Sequence, residues 1–317
     1  MNIKKPLAIG LGCAAGAYLG LSCLVQHEVF ERNARLPAII NESSKKKDKG
    51  APKRQDERSE WMHKQEFTEF RIESSKGDTL CGHYLEAAEK SNIFVLCSHG
   101  YRNRGKGEFR FISKFYHENG YNILLVDHTA SGESGGRNIT FGHQESADLL
   151  LWVEFLKKQF GEDIEIILHG ISMGAASVLL LSGNFKLPEN VKFAIADCSF
   201  SSVTEQFRSV LKSAHVPPQP LFPTVSLINR IRHGFSLSSV SPIEAVKNIK
   251  IPVLFVHGKN DGFVPTHMTE EMYALFSGKK DILLVEKAGH AQSYQKASEA
   301  YETKIKEFTS KYTGKTV

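Results

Sequence analysis

The segment Gly170-Ile171-Ser172-Met173-Gly174 places a serine between two glycines in the pattern G-x-S-x-G. The β-branched run over 164–168 before it predicts a buried strand, and the small and aliphatic residues over 175–181 predict a helix after it. A serine on a tight strand-to-helix turn needs neighbours without side chains, and glycine meets that need. We therefore expect Ser172 to be a nucleophile with helix N-terminal amides nearby. An ordinary helix N-cap is the alternative interpretation.

A serine nucleophile needs a base to take its proton and an acid to hold that base. His290 follows the predicted strand 282–286, and Asp261 follows the predicted strand 253–257. The chain order Ser172, Asp261, His290 is the one expected when these loops meet at one edge of a parallel sheet. Asp197 also ends a predicted strand and is the alternative acid.

An oxyanion hole requires two backbone N–H groups. We expect Met173, directly after the nucleophile, to supply one and Tyr101, in the loop after the strand 92–98, to supply the other. The Tyr101 hydroxyl can also contribute, and stacking of its ring against substrate or cap is the alternative.

Strands and helices alternate along the chain, which indicates an α/β fold with a mostly parallel sheet and helices on both faces. The predicted strands are 67–73, 79–85, 92–98, 122–127, 164–168, 191–197, 253–257 and 282–286. The predicted helices are 111–118, 145–160, 175–181, 266–276 and 293–311.

An insertion of about 200–250, after the sixth strand, interrupts this alternation. It is apolar and contains Pro217, Pro218, Pro220 and Pro223, which disfavours one regular element. A cap over the active site is the predicted role, because covering the site excludes water and shapes the pocket. Packing on the edge of the domain is the alternative.

The N-terminal region contains a 20-residue stretch, 6–25, without a charged residue. This length predicts a single-pass transmembrane helix, with a cleaved signal peptide as the alternative. The predicted organisation is a membrane anchor over 1–30, a polar basic linker over 31–64, and a catalytic domain over 65–317.

Two properties of the anchor follow from its sequence. Gly12, Gly16 and Gly20 recur at every fourth position, so self-association of the helix through this face is one expected use, although glycine is common in membrane helices without pairing. Basic residues are nearly balanced on its two sides, and we expect the catalytic domain outside the cytoplasm because the short tail is the easier part to retain.

The net charge of +5 is concentrated at the N-terminus. Residues 1–64 hold 12 Lys or Arg and 7 Asp or Glu, and the remainder is balanced, so a nucleic-acid partner is not expected. The five cysteines lack the spacing of a metal site, and Cys81, Cys97 and Cys198 are predicted to be small buried residues.

Five motifs together resemble the α/β-hydrolase fold serine hydrolases. They are His99-Gly100, the segment 127–136 (DHTASGESGG), the segment 170–174, the segment 257–261 (HGKND) with Val264-Pro265 after it, and Gly289-His290. In detail the chain is similar to membrane-anchored bacterial hydrolases of the serine aminopeptidase-like, or monoglyceride lipase-like, group. Thr129, Ala130 and Ser131 stand where that group usually has Arg, Gly and His.

The resemblance, which runs through residues 66–312, implies a Ser-His-Asp triad, an acyl-enzyme intermediate and no cofactor. No metal site is expected either. The expected activity is cleavage of small-molecule carboxylic esters, of carboxylesterase or lipase type. An aminopeptidase-like or thioester hydrolase on the same triad is the main alternative, although the insertion holds only Glu205 and Glu244 to bind a free amine. A non-catalytic membrane-tethered binding protein is the second alternative.

Overall fold

A computed structural model describes residues 4–32, with side chains from residue 16, and residues 57–314. Its centre is an eight-stranded sheet in the order β1-β2-β4-β3-β5-β6-β7-β8, in which only β2 runs antiparallel to its neighbours. The strands are β1 (Thr68–Glu73), β2 (Thr79–Leu85), β3 (Ile93–Ser98), β4 (Asn122–Asp127), β5 (Glu165–Ile171), β6 (Val191–Asp197), β7 (Val253–Gly258) and β8 (Lys280–Val285). The predicted α/β class and mostly parallel sheet are confirmed.

Twelve α-helices lie within the described residues. They are α1 (Lys4–Phe30), α2 (Glu57–His63), α3 (Gly105–Glu108), α4 (Ser113–Glu118), α5 (His143–Phe160), α6 (Met173–Asn184), α7 (Val203–Ser213), α8 (Leu221–His233), α9 (Pro242–Ala245), α10 (His267–Leu275), α11 (Ser293–Lys296) and α12 (Ser298–Tyr312). Short 3₁₀-helices span Leu237–Ser239 and Val246–Asn248.

The sheet is buried on both faces because its central strands are continuous apolar runs. Successive side chains point to opposite faces: Leu96 and Leu168 pack with α5, α6 and α10 on one side, and Val95 and Ile167 pack with α4 and α12 on the other. This rigid sheet fixes the loops at its carboxyl edge, where the predicted site residues lie.

The insertion between β6 and β7 forms three helices, α7, α8 and α9, rather than one regular element. α7 begins at an N-cap in which the Ser202 hydroxyl accepts a hydrogen bond from the Glu205 N–H. Pro217, Pro218 and Pro220 fall in the connection to α8, and Pro223 falls in the first turn of that helix, where a proline removes no intrahelical hydrogen bond.

Among the described residues, no helix has both the length and the apolar character needed to cross a membrane. The predicted transmembrane anchor over 6–25 is therefore not supported. The predicted linker lies outside the described residues over 33–56, and its last part, Glu57–His63, is the helix α2. Self-association through Gly12, Gly16 and Gly20 stays a prediction, and the surroundings of Gly12 lie outside the part of α1 whose side chains are described.

The second half of α1 packs against the catalytic domain and runs parallel to α8. Tyr18 hydrogen-bonds to Thr224 at 3.0 Å, and the Gln26 amide donates to Nε2 of His233 at 2.8 Å. Phe30, at the end of α1, is fully buried in a third hydrophobic cluster that also contains residues of α6, α7 and α8. The second half of α1, which includes the end of the uncharged stretch, thus covers a protein surface.

Candidate active site

Ser172 stands on a strained turn between β5 and α6. Its backbone has φ 57° and ψ −118°, a conformation that costs a non-glycine residue free energy and occurs mainly at functional sites. Both flanking glycines are required by contact: a Cβ at Gly170 would lie 2.3 Å from the carbonyl oxygen of Gly174, and one at Gly174 would lie 1.9 Å from that of Ser98. The turn therefore has the geometry expected for a nucleophile, and the simple N-cap interpretation does not explain it, since the Ser172 side chain makes no cap hydrogen bond.

The structure brings Ser172, His290 and Asp261 into one hydrogen-bonded chain. Nε2 of His290 lies 2.8 Å from Oγ of Ser172, and Nδ1 lies 2.7 Å from Oδ2 of Asp261. The carboxylate can only accept, so Nδ1 carries the proton and Nε2 is free to accept from the serine hydroxyl. That tautomer is the one in which His290 can take the Ser172 proton.

Asp261 is held both ionised and in one orientation. Burial by itself would raise its pKa, but hydrogen bonds from His257 and His290 and from backbone N–H groups hold the pKa well below its usual range. Oδ1 accepts from the N–H groups of Phe263 and Val264, each at 2.9 Å. The carboxylate therefore keeps a negative charge directed at His290, which stabilises an imidazolium there.

Asp197, the alternative acid, forms its side-chain hydrogen bonds with residues outside the triad. Its Oδ1 accepts from the Ser293 hydroxyl at 3.0 Å and its Oδ2 from the Tyr301 hydroxyl at 3.2 Å. Burial raises its pKa to about 6. Asp261, not Asp197, is the carboxylate in contact with His290.

The loop after β3 passes directly beside Ser172. A Cβ at Gly100 would lie 3.3 Å from Cβ of Ser172, so the next residue, Tyr101, is adjacent to the nucleophile, as is Met173 at the start of α6. The Glu108 carboxylate, which the sequence did not indicate, fixes this loop by accepting from the Gly100 N–H at 3.1 Å and from the Asn103 amide at 2.7 Å.

The side chain of Tyr101 is directed to α1 rather than to the oxyanion position. Its hydroxyl donates to the carbonyl of Val29 at 2.6 Å, and burial raises its pKa, which keeps that proton in place. Its ring stacks on Phe141 with 5.1 Å between centroids. The hydroxyl is therefore engaged with α1 in this structure, and the contribution of the Tyr101 backbone N–H to an oxyanion hole stays a prediction.

An apolar cavity of about 270 Å³ reaches Ser172. Its walls come from α1, the loops after β3 and β4, α7, and the loop that carries Asp261. The lining residues are Leu21, Val25, Val29, Tyr101, Phe141, Ser172, Met173, Phe200, Val203, Gln206, Phe207, Val210, Leu211, Ala214, Val216, Leu221, Phe263 and Val264. Among these described lining residues there is no acidic or basic side chain, so the cavity suits an uncharged, apolar group.

Two groups of described side chains are close enough to share a metal ion. One is Glu69, Cys81 and His83 on β1 and β2, and the other is Cys198 with Asp261 and His290. Burial raises the pKa of Cys81 to about 12 and that of Cys198 well above its usual value, which disfavours the thiolate that metals bind. Neither group indicates a metal, and the expected absence of metal and cofactor stays a prediction.

Known proteins resemble this chain along most of its length. YqkD of Bacillus subtilis, an uncharacterized protein, is 29% identical over 309 residues, which cover 96% of this chain and 97% of YqkD. The esterase Pf2001 of Pyrococcus furiosus superposes with a TM-score of 0.63 at 22% identity, covering 78% of this chain and 92% of the esterase. The acylaminoacyl peptidase of Pyrococcus horikoshii gives 0.57 at 19% identity, covering 79% of this chain and 42% of the peptidase.

The two structural likenesses establish the α/β-hydrolase fold, and the narrower resemblance to a membrane-anchored group is not supported by them. The model of the prolyl oligopeptidase family (Peptidase_S9) matches residues 108–316. That range contains Ser172, Asp261 and His290 and is about two thirds of the sequence. The chain therefore belongs to the prolyl oligopeptidase family and is a serine hydrolase of the α/β-hydrolase fold.

Proposed function

We propose that this protein hydrolyses carboxylic esters with an apolar acyl group, through an acyl-enzyme on Ser172. The observation that carries the proposal is the cavity at Ser172, whose described lining is apolar apart from the nucleophile, Gln206 and the Tyr101 hydroxyl. A hydrophobic acyl chain gains free energy on entering such a cavity, at about 25 cal/mol per Å² of apolar surface removed from water. A charged substrate would lose its hydration there without a partner.

The reaction follows from the hydrogen-bonded chain. Oγ of Ser172 attacks the ester carbonyl while Nε2 of His290 takes the hydroxyl proton, and Asp261 stabilises the imidazolium. The N–H groups of Met173 and Tyr101 stabilise the oxyanion. His290 then returns its proton to the leaving alcohol, and a water activated by the same imidazole releases the acid and restores Ser172.

Cleavage of peptides or thioesters by the same residues is the second candidate. Of these two, the match to the prolyl oligopeptidase family favours peptides. An aminopeptidase would need an acidic side chain to bind the free amine of its substrate. The described lining of the cavity offers none, so within peptidase chemistry an N-blocked substrate fits better than a free N-terminus.

The test is hydrolysis of p-nitrophenyl esters of graded acyl length by the full chain, beside the p-nitroanilide of the best acyl group. Ser172→Ala should lower kcat/KM for the esters by about 10⁴-fold or more. Ser182→Ala is the matched control, because Ser182 is buried on the same helix and its hydroxyl donates to the carbonyl of Val178.

Faster turnover of the anilide than of the ester would refute the ester proposal and favour peptide cleavage. Failure of Ser172 to react with a fluorophosphonate would refute a catalytic serine and favour the non-catalytic binding protein. The membrane localisation and the extracytoplasmic side stay predictions, and they are tested separately by fractionating cells that express the full chain.

A further inference from the structure

We propose that the C-terminal half of α1 forms one wall of the cavity at Ser172, here called the acyl pocket, and that Val25 sets the length of acyl chain that this pocket accepts. This inference rests on the proposed acyl chemistry of Ser172. It assigns a specificity role to a segment whose sequence resembles a membrane anchor and that lies outside the region matched by the family model.

The first observation is direct lining. Leu21, Val25 and Val29 all contribute to the cavity that contains Ser172. They recur at every fourth position, so they form one stripe along α1. The stripe faces α7, whose Val203, Phe207 and Val210 line the same cavity.

The second observation is that the end of α1 is fixed to the active-site loop. The last carbonyls of a helix lack intrahelical partners, and here the Tyr101 hydroxyl and the Arg102 guanidinium supply them. Arg102 Nη2 donates to the carbonyl of Glu28 at 2.6 Å and to that of Glu31 at 2.9 Å. A cation at a helix C-terminus is also stabilised by the helix dipole.

The third observation is aromatic packing around the helix end. Phe30 contacts Phe141 edge-on at 5.2 Å and stacks on Phe207 at 6.4 Å between centroids. The chain then continues into an antiparallel bridge between Glu31 and Asn138, and the Ile139 N–H donates to the carbonyl of Phe30 at 2.7 Å. The end of α1 is therefore held by the loop after β3, the loop after β4 and α7, all of which also line the cavity at Ser172.

Val25 is the position at which a substitution can test whether α1 sets the length of the cavity. It is half-buried, on the stripe, between the fixed end at Val29 and the more exposed Leu21. A larger side chain there shortens the cavity, and a smaller one extends it, without touching the triad. Leu24, one residue earlier, is 55% exposed and does not line the cavity, so it provides a matched control.

The experiment compares the wild-type full chain with Val25→Phe, Val25→Ala and Leu24→Phe. For each, kcat/KM is measured over p-nitrophenyl esters of increasing acyl length, together with the rate of labelling by alkyl fluorophosphonates of the same lengths. Val25→Phe should lower the long-to-short ratio at least tenfold, Val25→Ala should move the optimum to a longer chain, and Leu24→Phe should keep the wild-type profile. A difference of one methylene in a hydrophobic pocket typically changes discrimination by about 10- to 200-fold.

The inference is overturned if both Val25 variants keep the wild-type profile, or if Leu24→Phe changes it as much as Val25→Phe does. Its failure can be distinguished from failure of the ester proposal. Labelling that depends on chain length and shifts with Val25, without ester turnover, would retain the pocket wall and refute the ester substrate. Val25→Ala keeps the test usable if the larger residue prevents folding.

Discussion

Replacing Asp261 by asparagine tests whether this carboxylate sets the tautomer of His290. Oδ1 of Asp261 accepts hydrogen bonds from two backbone N–H groups, those of Phe263 and Val264. The amide oxygen of an asparagine must occupy that position, because its NH₂ group cannot accept there. The NH₂ group is then directed at Nδ1 of His290 and donates to it.

That change moves the imidazole proton from Nδ1 to Nε2. Nε2 can then no longer accept the proton of Ser172, although it still lies within hydrogen-bond distance of Oγ. The negative charge that stabilises the imidazolium is lost at the same time. Loss of the correct tautomer in a serine triad lowers kcat by about 10⁴-fold, which corresponds to about 5 kcal/mol of transition-state stabilisation.

The assay is kcat for the best p-nitrophenyl ester at pH 7, with a thermal melt to establish that the variant folds. The matched control is Asp197→Asn, which removes a second buried carboxylate at the carboxyl end of a strand and should leave kcat within about tenfold of wild type. Asp261→Asn with kcat within tenfold of wild type would refute the assigned role, and a large loss in Asp197→Asn instead would transfer the role to that residue.

Three further predictions concern stability. Burial raises the pKa of Asp197 from 3.8 to about 6, so between these pH values the folded state binds a proton that the unfolded state has released. The free energy of unfolding should therefore fall by up to about 3 kcal/mol as the pH rises from about 4 to 6. Urea melts of Asp197→Asn should lack this fall, and a variant with the same pH profile as wild type would contradict the prediction. Gly174→Ala should prevent correct folding of the turn, because its Cβ would lie 1.9 Å from the Ser98 carbonyl oxygen; a wild-type melting temperature and full fluorophosphonate labelling would contradict it. Tyr101→Phe should reduce stability by about 1 kcal/mol through loss of the hydrogen bond to Val29, and an unchanged urea midpoint would count against that contact.

The sheet and the geometry around Ser172 could be predicted from sequence because both depend on local patterns. The central strands are apolar runs bounded by turn residues, and parallel strands place their following loops at one edge. The positions of Asp261 and His290 after consecutive strands therefore brought them to Ser172 without any knowledge of packing. The choice between Asp261 and Asp197 needed the structure, because both follow strands and only contacts distinguish them.

The role of α1 could not be predicted in this way. An uncharged stretch of 20 residues predicts a membrane helix on composition alone, and its contacts are made with α8, far away in sequence. One signal was present: Ser22, inside the stretch, and Gln26, directly after it, stand at i and i+4 and are both fully buried, so this part of α1 has polar side chains on a face that packs against protein. The prolines of the insertion indicated correctly that it is not one regular element, because Pro217, Pro218 and Pro220 fall between two helices, but they could not give the bounds of those helices.

The parallel packing of α1 on α8 also has a consequence for the order in which the protein is made. Tyr18 and Thr224 are 206 residues apart, so α1 leaves the ribosome long before the helix it packs against. At about 5 to 20 residues per second, that interval is about 10 to 40 s. During translation the leucines of α1 are therefore available to chaperones or to lipid before α8 exists, and the cavity at Ser172 cannot form until the segment that ends at Val264 has also been made.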